Sequence, residues 1–249
     1  MPALTATPLA GADDALPLFV LPSLGGSHED WRPAAQRLGE RYRVLGVDLP
    51  GHGSSPVTTE PFTMIDLAQA VLDVVDELDV DDFGLVGTSL GGAVVQELAL
   101  ARPEGLVFTG VVCSAPRMGD QASWAERAAA VRRRGTGSLV GALAERWFSP
   151  GFAKAHPVVV GRVLAGVAAT DDESYALCCE ALGAWDATDR ILTLDVPVVA
   201  VRGEHDPVAT LDAMRPLLAA PGVTERLIRG VRHQAAIEAP DAVAAALLG

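Results

Sequence analysis

The chain has 249 residues, 49% of them hydrophobic, and a formal net charge of −13. That length and apolar content suit one large α/β domain with a sizeable core and exclude a disordered chain. The acidic balance argues against a nucleic-acid partner, because phosphate contacts need clustered cations, and no apolar run reaches the roughly 18 residues of a membrane span.

In chain order, residues 1–14 carry no positive charge ahead of an apolar segment, so no secretory leader is expected and a cytoplasmic location is. Residues 16–21 read as a buried strand. Pro22-Ser23-Leu24-Gly25-Gly26 follows, a loop whose paired glycines let the backbone curl. Residues 43–47 are a second strand, leading into Asp48-Leu49-Pro50-Gly51-His52-Gly53-Ser54-Ser55. That segment reads as a hydrogen-bonded turn, with a metal or catalytic role for His52 as the competing reading. Over residues 64–78, Ile65, Leu67, Ala68, Val71, Leu72, Val75 and Leu78 fall on one helical stripe, with Thr63 as N-cap. Residues 84–86 are a strand and 90–101 a helix. Residues 107–113, 196–201 and 224–228 are further strands, and 240–248 is a closing helix. This alternation implies a parallel sheet covered on both faces.

Residues 116–190 break the rhythm. Helical patterns occur at 124–134, 139–148, 157–169 and 175–185, and no strand appears between them. The expectation is a helical lid inserted into a core of residues 1–115 and 191–249, folded over the carboxyl ends of the strands. Cys113, Cys178 and Cys179 are odd in number with two adjacent, which fits neither a disulfide framework nor zinc spacing. They read as reduced packing residues.

Gly87-Thr88-Ser89-Leu90-Gly91 lies between the strand at 84–86 and the helix at 90–101. A serine at such an apex is forced into a strained turn, and the flanking glycines let strand and helix approach. A serine hydroxyl needs a base, and the base needs an orienting carboxylate. Of the histidines after Ser89, His156 lies inside the insertion and His205 directly precedes Asp206. His233 follows the last strand and is the expected base. Asp206, just past the strand at 196–201, is the expected acid, with Glu204 and Asp120 as alternatives. Leu90 N–H is one expected oxyanion donor. Leu24 N–H is the second, with Gly25 the neighbouring alternative. No phosphate loop, dinucleotide fingerprint or metal cluster is present, and no cofactor or metal is expected.

The motifs Gly87-Thr88-Ser89-Leu90-Gly91-Gly92, Asp48-Leu49-Pro50-Gly51-His52-Gly53, Gly203-x-x-Asp206-Pro207 and His233 together resemble the α/β-hydrolase superfamily. Within it, Ser23-Leu24-Gly25, Trp147-Phe148-Ser149-Pro150-Gly151-Phe152-Ala153-x-x-His156-Pro157 and Ala169-Thr170-Asp171-x-x-Ser174-Tyr175-Ala176-x-Cys178-Cys179-Glu180-Ala181 resemble the 3-oxoadipate enol-lactonases. Gln234 departs from the apolar residue common after the histidine, and the first strands of the fold are compressed into residues 1–9 or absent. The resemblance implies a small-molecule lactone or ester substrate, and specifically hydrolysis of 3-oxoadipate enol-lactone to 3-oxoadipate through a serine acyl-enzyme. A general carboxylesterase or a carbon–carbon bond hydrolase is the alternative, and a triad-retaining ligand receptor a third. The lactone's free carboxylate calls for a lid arginine among Arg127, Arg132, Arg133, Arg134 and Arg146, with Arg133 or Arg134 favoured. Trp124, Trp147 and Trp185 are candidate pocket walls, Trp147 being the expected substrate contact, with packing of the lid as their competing role.

Overall fold

The computed structural model describes residues 1–249. Seven strands form one sheet in the order β1-β3-β2-β4-β5-β6-β7. They are β1 (Ala6–Ala10), β2 (Pro17–Leu21), β3 (Arg43–Val47), β4 (Phe83–Thr88), β5 (Leu106–Val112), β6 (Val198–Gly203) and β7 (Val223–Ile228). All pairings are parallel except β1 with β3. The strand at β1 is the one the sequence left open. Its alternation is short and half-exposed, so only the edge of β3 specifies it. β4 is longer than the apolar run at 84–86 because Gly87 and Thr88 continue the ladder against Val111 and Val112.

The core helices are α1 (Arg32–Leu38), α2 (Met64–Glu77), α3 (Leu90–Ala101), α9 (Leu211–Leu218), α10 (Ala235–Glu238) and α11 (Pro240–Leu248), numbered with the insertion's α4 to α8. α2 begins where Thr63 and Asp66 cap each other. Thr63 N–H donates to Asp66 at 2.8 Å and Asp66 N–H donates to Thr63 Oγ1 at 3.2 Å. Its buried face is Met64, Leu67, Ala68, Ala70, Val71, Val74 and Val75. Ile65, placed on the apolar stripe by spacing, instead points to solvent at 64% exposure. The two faces of the sheet carry separate cores. Phe19, Leu45, Leu85 and Val111 pack under α2 and α3. Val20, Val44, Val86 and Val112 pack under α1 and α11. Alternate residues of each strand thus enter opposite cores, and burying each such aliphatic side chain contributes about 1.5–3 kcal/mol.

Between β5 and β6 the chain is helical: α4 (Gln121–Arg134), α5 (Val140–Trp147), α6 (Pro150–Ala155), α7 (Pro157–Ala169) and α8 (Asp172–Ala184). Asp120, Ser149 and Asp171 N-cap α4, α6 and α8, and Pro150 and Pro157 start α6 and α7. Cys113, Cys178 and Cys179 are buried and unpaired. No helix is long and apolar enough to cross a membrane.

Candidate active site

Ser89 sits between β4 and α3 with φ 56° and ψ −115°, a left-handed backbone that costs a non-glycine residue roughly 1–3 kcal/mol. The surroundings hold it there. Ser89 N–H donates to Val112 O at 3.0 Å, and its carbonyl accepts from Ser114 Oγ at 2.7 Å. Gln96 Nε2 donates to Ser114 Oγ at 3.2 Å and steadies that contact. A Cβ on Gly91 would lie 2.7 Å from Leu21 Cβ and from the carbonyl oxygens of Leu21 and Pro22. Glycine is therefore required where α3 crosses the end of β2.

His233 lies on the loop after β7, beside the end of β6. Its Nδ1 is 2.9 Å from Asp206 Oδ2 and 3.1 Å from Oδ1. Gly203 allows this approach, since a Cβ there would stand 2.5 Å from Arg232 O. Asp206 is also fixed by the amides of Val208 and Ala209, at 2.7 and 3.1 Å. Burial opposes ionisation of Asp206. The charge and hydrogen bond of His233, with the two amides, outweigh it and hold the carboxyl below the ordinary carboxylate range. Glu204 instead accepts from Gly230 N–H at 2.8 Å, and Asp120 caps α4 through Ser123 N–H. Neither alternative acid reaches the imidazole. No hydrogen bond joins the Ser89 hydroxyl to the ring; the two side chains face one cavity of about 410 Å³.

The loop after β2 is held from below by His52. Its Nδ1–H donates to Pro50 O at 2.8 Å, leaving Nε2 to accept Gly25 N–H at 3.0 Å. Complete burial pushes the His52 pKa down to about 4, so the ring is neutral at pH 7. Gly26 N–H is spent on Ser23 O at 2.8 Å. The Gly25 and Gly26 amides are occupied, whereas the Leu24 amide has no hydrogen-bond partner and its residue lines the cavity. The Leu90 amide, at the first position of α3, is free for the usual reason at a helix start. The turn after β3 is hydrogen-bonded as expected. Asp48 accepts from His28 N–H and from Ser54 N–H and Oγ–H, at 2.6, 2.8 and 2.9 Å.

The cavity is lined by Ser23, Leu24, Ser89 and His233 from the core side, and by Trp124, Arg127, Leu143, Arg146 and Trp147 from the insertion. Two arginines and no carboxylate face it. Arg133 and Arg134, favoured from the sequence, are instead exposed at the end of α4 and do not line the cavity. The helix turns them outward, since Arg127 and Val131 occupy the inward positions one turn apart. Arg132 is paired with Glu173 and Glu180. Arg127 lies over the rings of Trp124 and Tyr175, with its guanidinium carbon 5.3 and 5.6 Å from their centroids. Its Nε and the nearby Tyr175 hydroxyl are buried with no hydrogen-bond partner. Trp147 lines the cavity, whereas Trp185 packs away from it, donating to Glu97 at 2.8 Å. No cluster of side chains suited to a metal ion is present.

Residues 18–246 match the family model described as the alpha/beta hydrolase family. The chain belongs to the alpha/beta hydrolase family. It is 31% identical over 201 residues to 3-oxoadipate enol-lactonase 2 of Acinetobacter baylyi, covering 81% of this chain and 75% of that protein. A carboxylesterase of Bacillus subtilis is 25% identical over 242 residues, 94% of this chain and 79% of that one. The crystal structure of the enol-lactonase from Burkholderia xenovorans LB400 superposes with a TM-score of 0.94 at 29% identity, covering 98% of this chain and 95% of that one. The α/β-hydrolase fold with its helical insertion between β5 and β6 is thereby established for this hydrolase.

Proposed function

We propose that the protein hydrolyses 3-oxoadipate enol-lactone to 3-oxoadipate with Ser89 as nucleophile, His233 as base and Asp206 as the orienting acid. Two arginines and no carboxylate in the cavity that holds Ser89 carry this reading over that of a general esterase. The similarity to the two enol-lactonases supports it.

Asp206 on Nδ1 leaves His233 Nε2 unprotonated and able to accept. Ser89 Oγ attacks the lactone carbonyl carbon while Nε2 takes its proton. The oxyanion receives the Leu24 and Leu90 N–H groups. Removing one such donor typically costs about 3 kcal/mol of transition-state stabilisation. As the tetrahedral species collapses, the ring C–O bond breaks and its electron pair leaves with the enol oxygen, which takes the proton from Nε2. An enol leaves readily, so little acid assistance is needed. Water, deprotonated by the same nitrogen, releases the acyl group and restores Ser89. The enol then tautomerises to the ketone.

Arg127 takes the place foreseen for Arg133 or Arg134. The chain's net charge of −13 repels an anion at long range, so a local cation must hold the substrate carboxylate. Arg127 has no acidic partner to surrender. Arg127→Met should raise KM for the enol-lactone by about 100-fold while changing KM for a neutral aryl ester little. Equal losses on both substrates would show that Arg127 acts through packing, and would remove the anionic substrate from the account.

A further inference from the structure

The loop after β2 holds one more donor than the serine mechanism has used. Ser23 precedes Leu24, is 2% exposed, and lines the same cavity as Ser89 and His233. Its Oγ accepts from Gln234 Nε2 at 2.7 Å. Gln234 is itself only 2% exposed, and its N–H donates to Trp147 O at 3.1 Å, so its backbone is tied to the end of α5. A hydroxyl has one proton and two acceptor positions. Gln234 fills one acceptor position, and no protein atom takes the proton. The neighbouring amides do not compete for the cavity, because Gly25 N–H is committed to His52 and Gly26 N–H to Ser23 O.

We infer that the Ser23 hydroxyl is a third donor to the oxyanion, beside the Leu24 and Leu90 amides, with Gln234 fixing its polarity. Because Gln234 donates to Ser23 Oγ, it leaves the hydroxyl proton for the substrate oxygen. The residue after the histidine is thus a positioning residue. It links the loop that carries the base to the loop that carries the oxyanion donors. The inference rests on the serine reading of the site but not on the identity of the lactone, since every acyl transfer at Ser89 develops the same oxyanion.

The test uses a neutral aryl ester and the full-length protein. Ser23→Ala removes the proton. Gln234→Glu keeps a hydrogen-bonding partner on Ser23 but offers only acceptors, so the hydroxyl turns toward residue 234 and away from the cavity. Each substitution should lower kcat by about tenfold or more, with KM within about twofold of wild type. The double variant should be no slower than Ser23→Ala. The pH–rate profile of Gln234→Glu, taken to its plateau, separates this effect from the charge of the introduced carboxylate. Ser23→Cys keeps the size with a weak donor and should fall between wild type and Ser23→Ala. Wild-type kcat in Ser23→Ala, or in Gln234→Glu at its pH plateau, would overturn the inference. Turnover of the ester by Ser89→Ala at the wild-type rate would instead overturn the serine reading itself.

Discussion

Two buried titratable residues, His52 and Asp30, give the fold opposite responses to acid. The His52 pKa falls from 6.5 unfolded to about 4 folded because burial excludes its charge. Between those values the unfolded chain binds the extra proton, so His52 withdraws stability as pH falls, up to about 3 kcal/mol. Asp30 is raised from 3.8 to about 7 by burial, opposed in part by the Ser27 amide. Its contribution is full below pH 3.8 and is lost as pH rises through about 7. Overall acid stability therefore mixes the two, and single variants separate them. The stability of wild type relative to His52→Gln should decline from pH 7 to pH 4, and that relative to Asp30→Asn should grow, both read by urea unfolding. A flat difference in either series would contradict the assigned cause. At the same scale, Ser89→Ala should lower kcat by roughly a millionfold while the melting temperature stays within a few degrees. The meeting of His233 with Asp206, and of His233 with Ser89 at one cavity, was legible because chain order and strand ends limit which residues can meet. Arg127 was not singled out, because eight arginines crowd the insertion and the rotation of α4 and α5 decides which of them face the cavity. Gln234 was visible as an unexpected polar residue, but its partner, 211 positions away, was not.

At the scale of elements, the elbow between β4 and α3 depends on glycines that admit neighbouring backbone. Gly91→Ala would drive a Cβ to 2.7 Å from three atoms of β2 and Pro22. Overpacking of this kind costs about 1–3 kcal/mol. The expected result is a melting temperature lower by roughly 2–10 °C, measured by calorimetry. No fall would mean that β2 yields more easily than the packing implies. The helices at 90–101, 157–169 and 240–248 were read from sequence at their observed bounds, because Pro157 and Pro240 start two of them and the serine turn starts the third. α1, α6 and α9 escaped, being 7, 6 and 8 residues long. So few turns give a 3.6-residue period little room to show.

For the whole molecule, we propose that residues 116–190 act as a lid on a core formed by residues 1–115 and 191–249. Glu238, on α10, joins the two. It accepts from Ser149 N–H at 2.9 Å, from the Ser149 hydroxyl, and from Arg232 N–H at 2.7 Å. On the opposite side Gly51 O accepts from Asp171 N–H at 3.1 Å. Glu238→Ala should speed amide exchange across Ser149–Ala155 while leaving β4 and α3 protected. Unchanged exchange there would show that packing alone holds the insertion. The most direct test of the account is the ratio of kcat/KM for 3-oxoadipate enol-lactone to that for a neutral aryl ester of similar size, measured on the wild-type protein. An unpaired arginine lining the cavity that holds Ser89 predicts a ratio of about 100 or more in favour of the anionic lactone. A ratio at or below unity would contradict it.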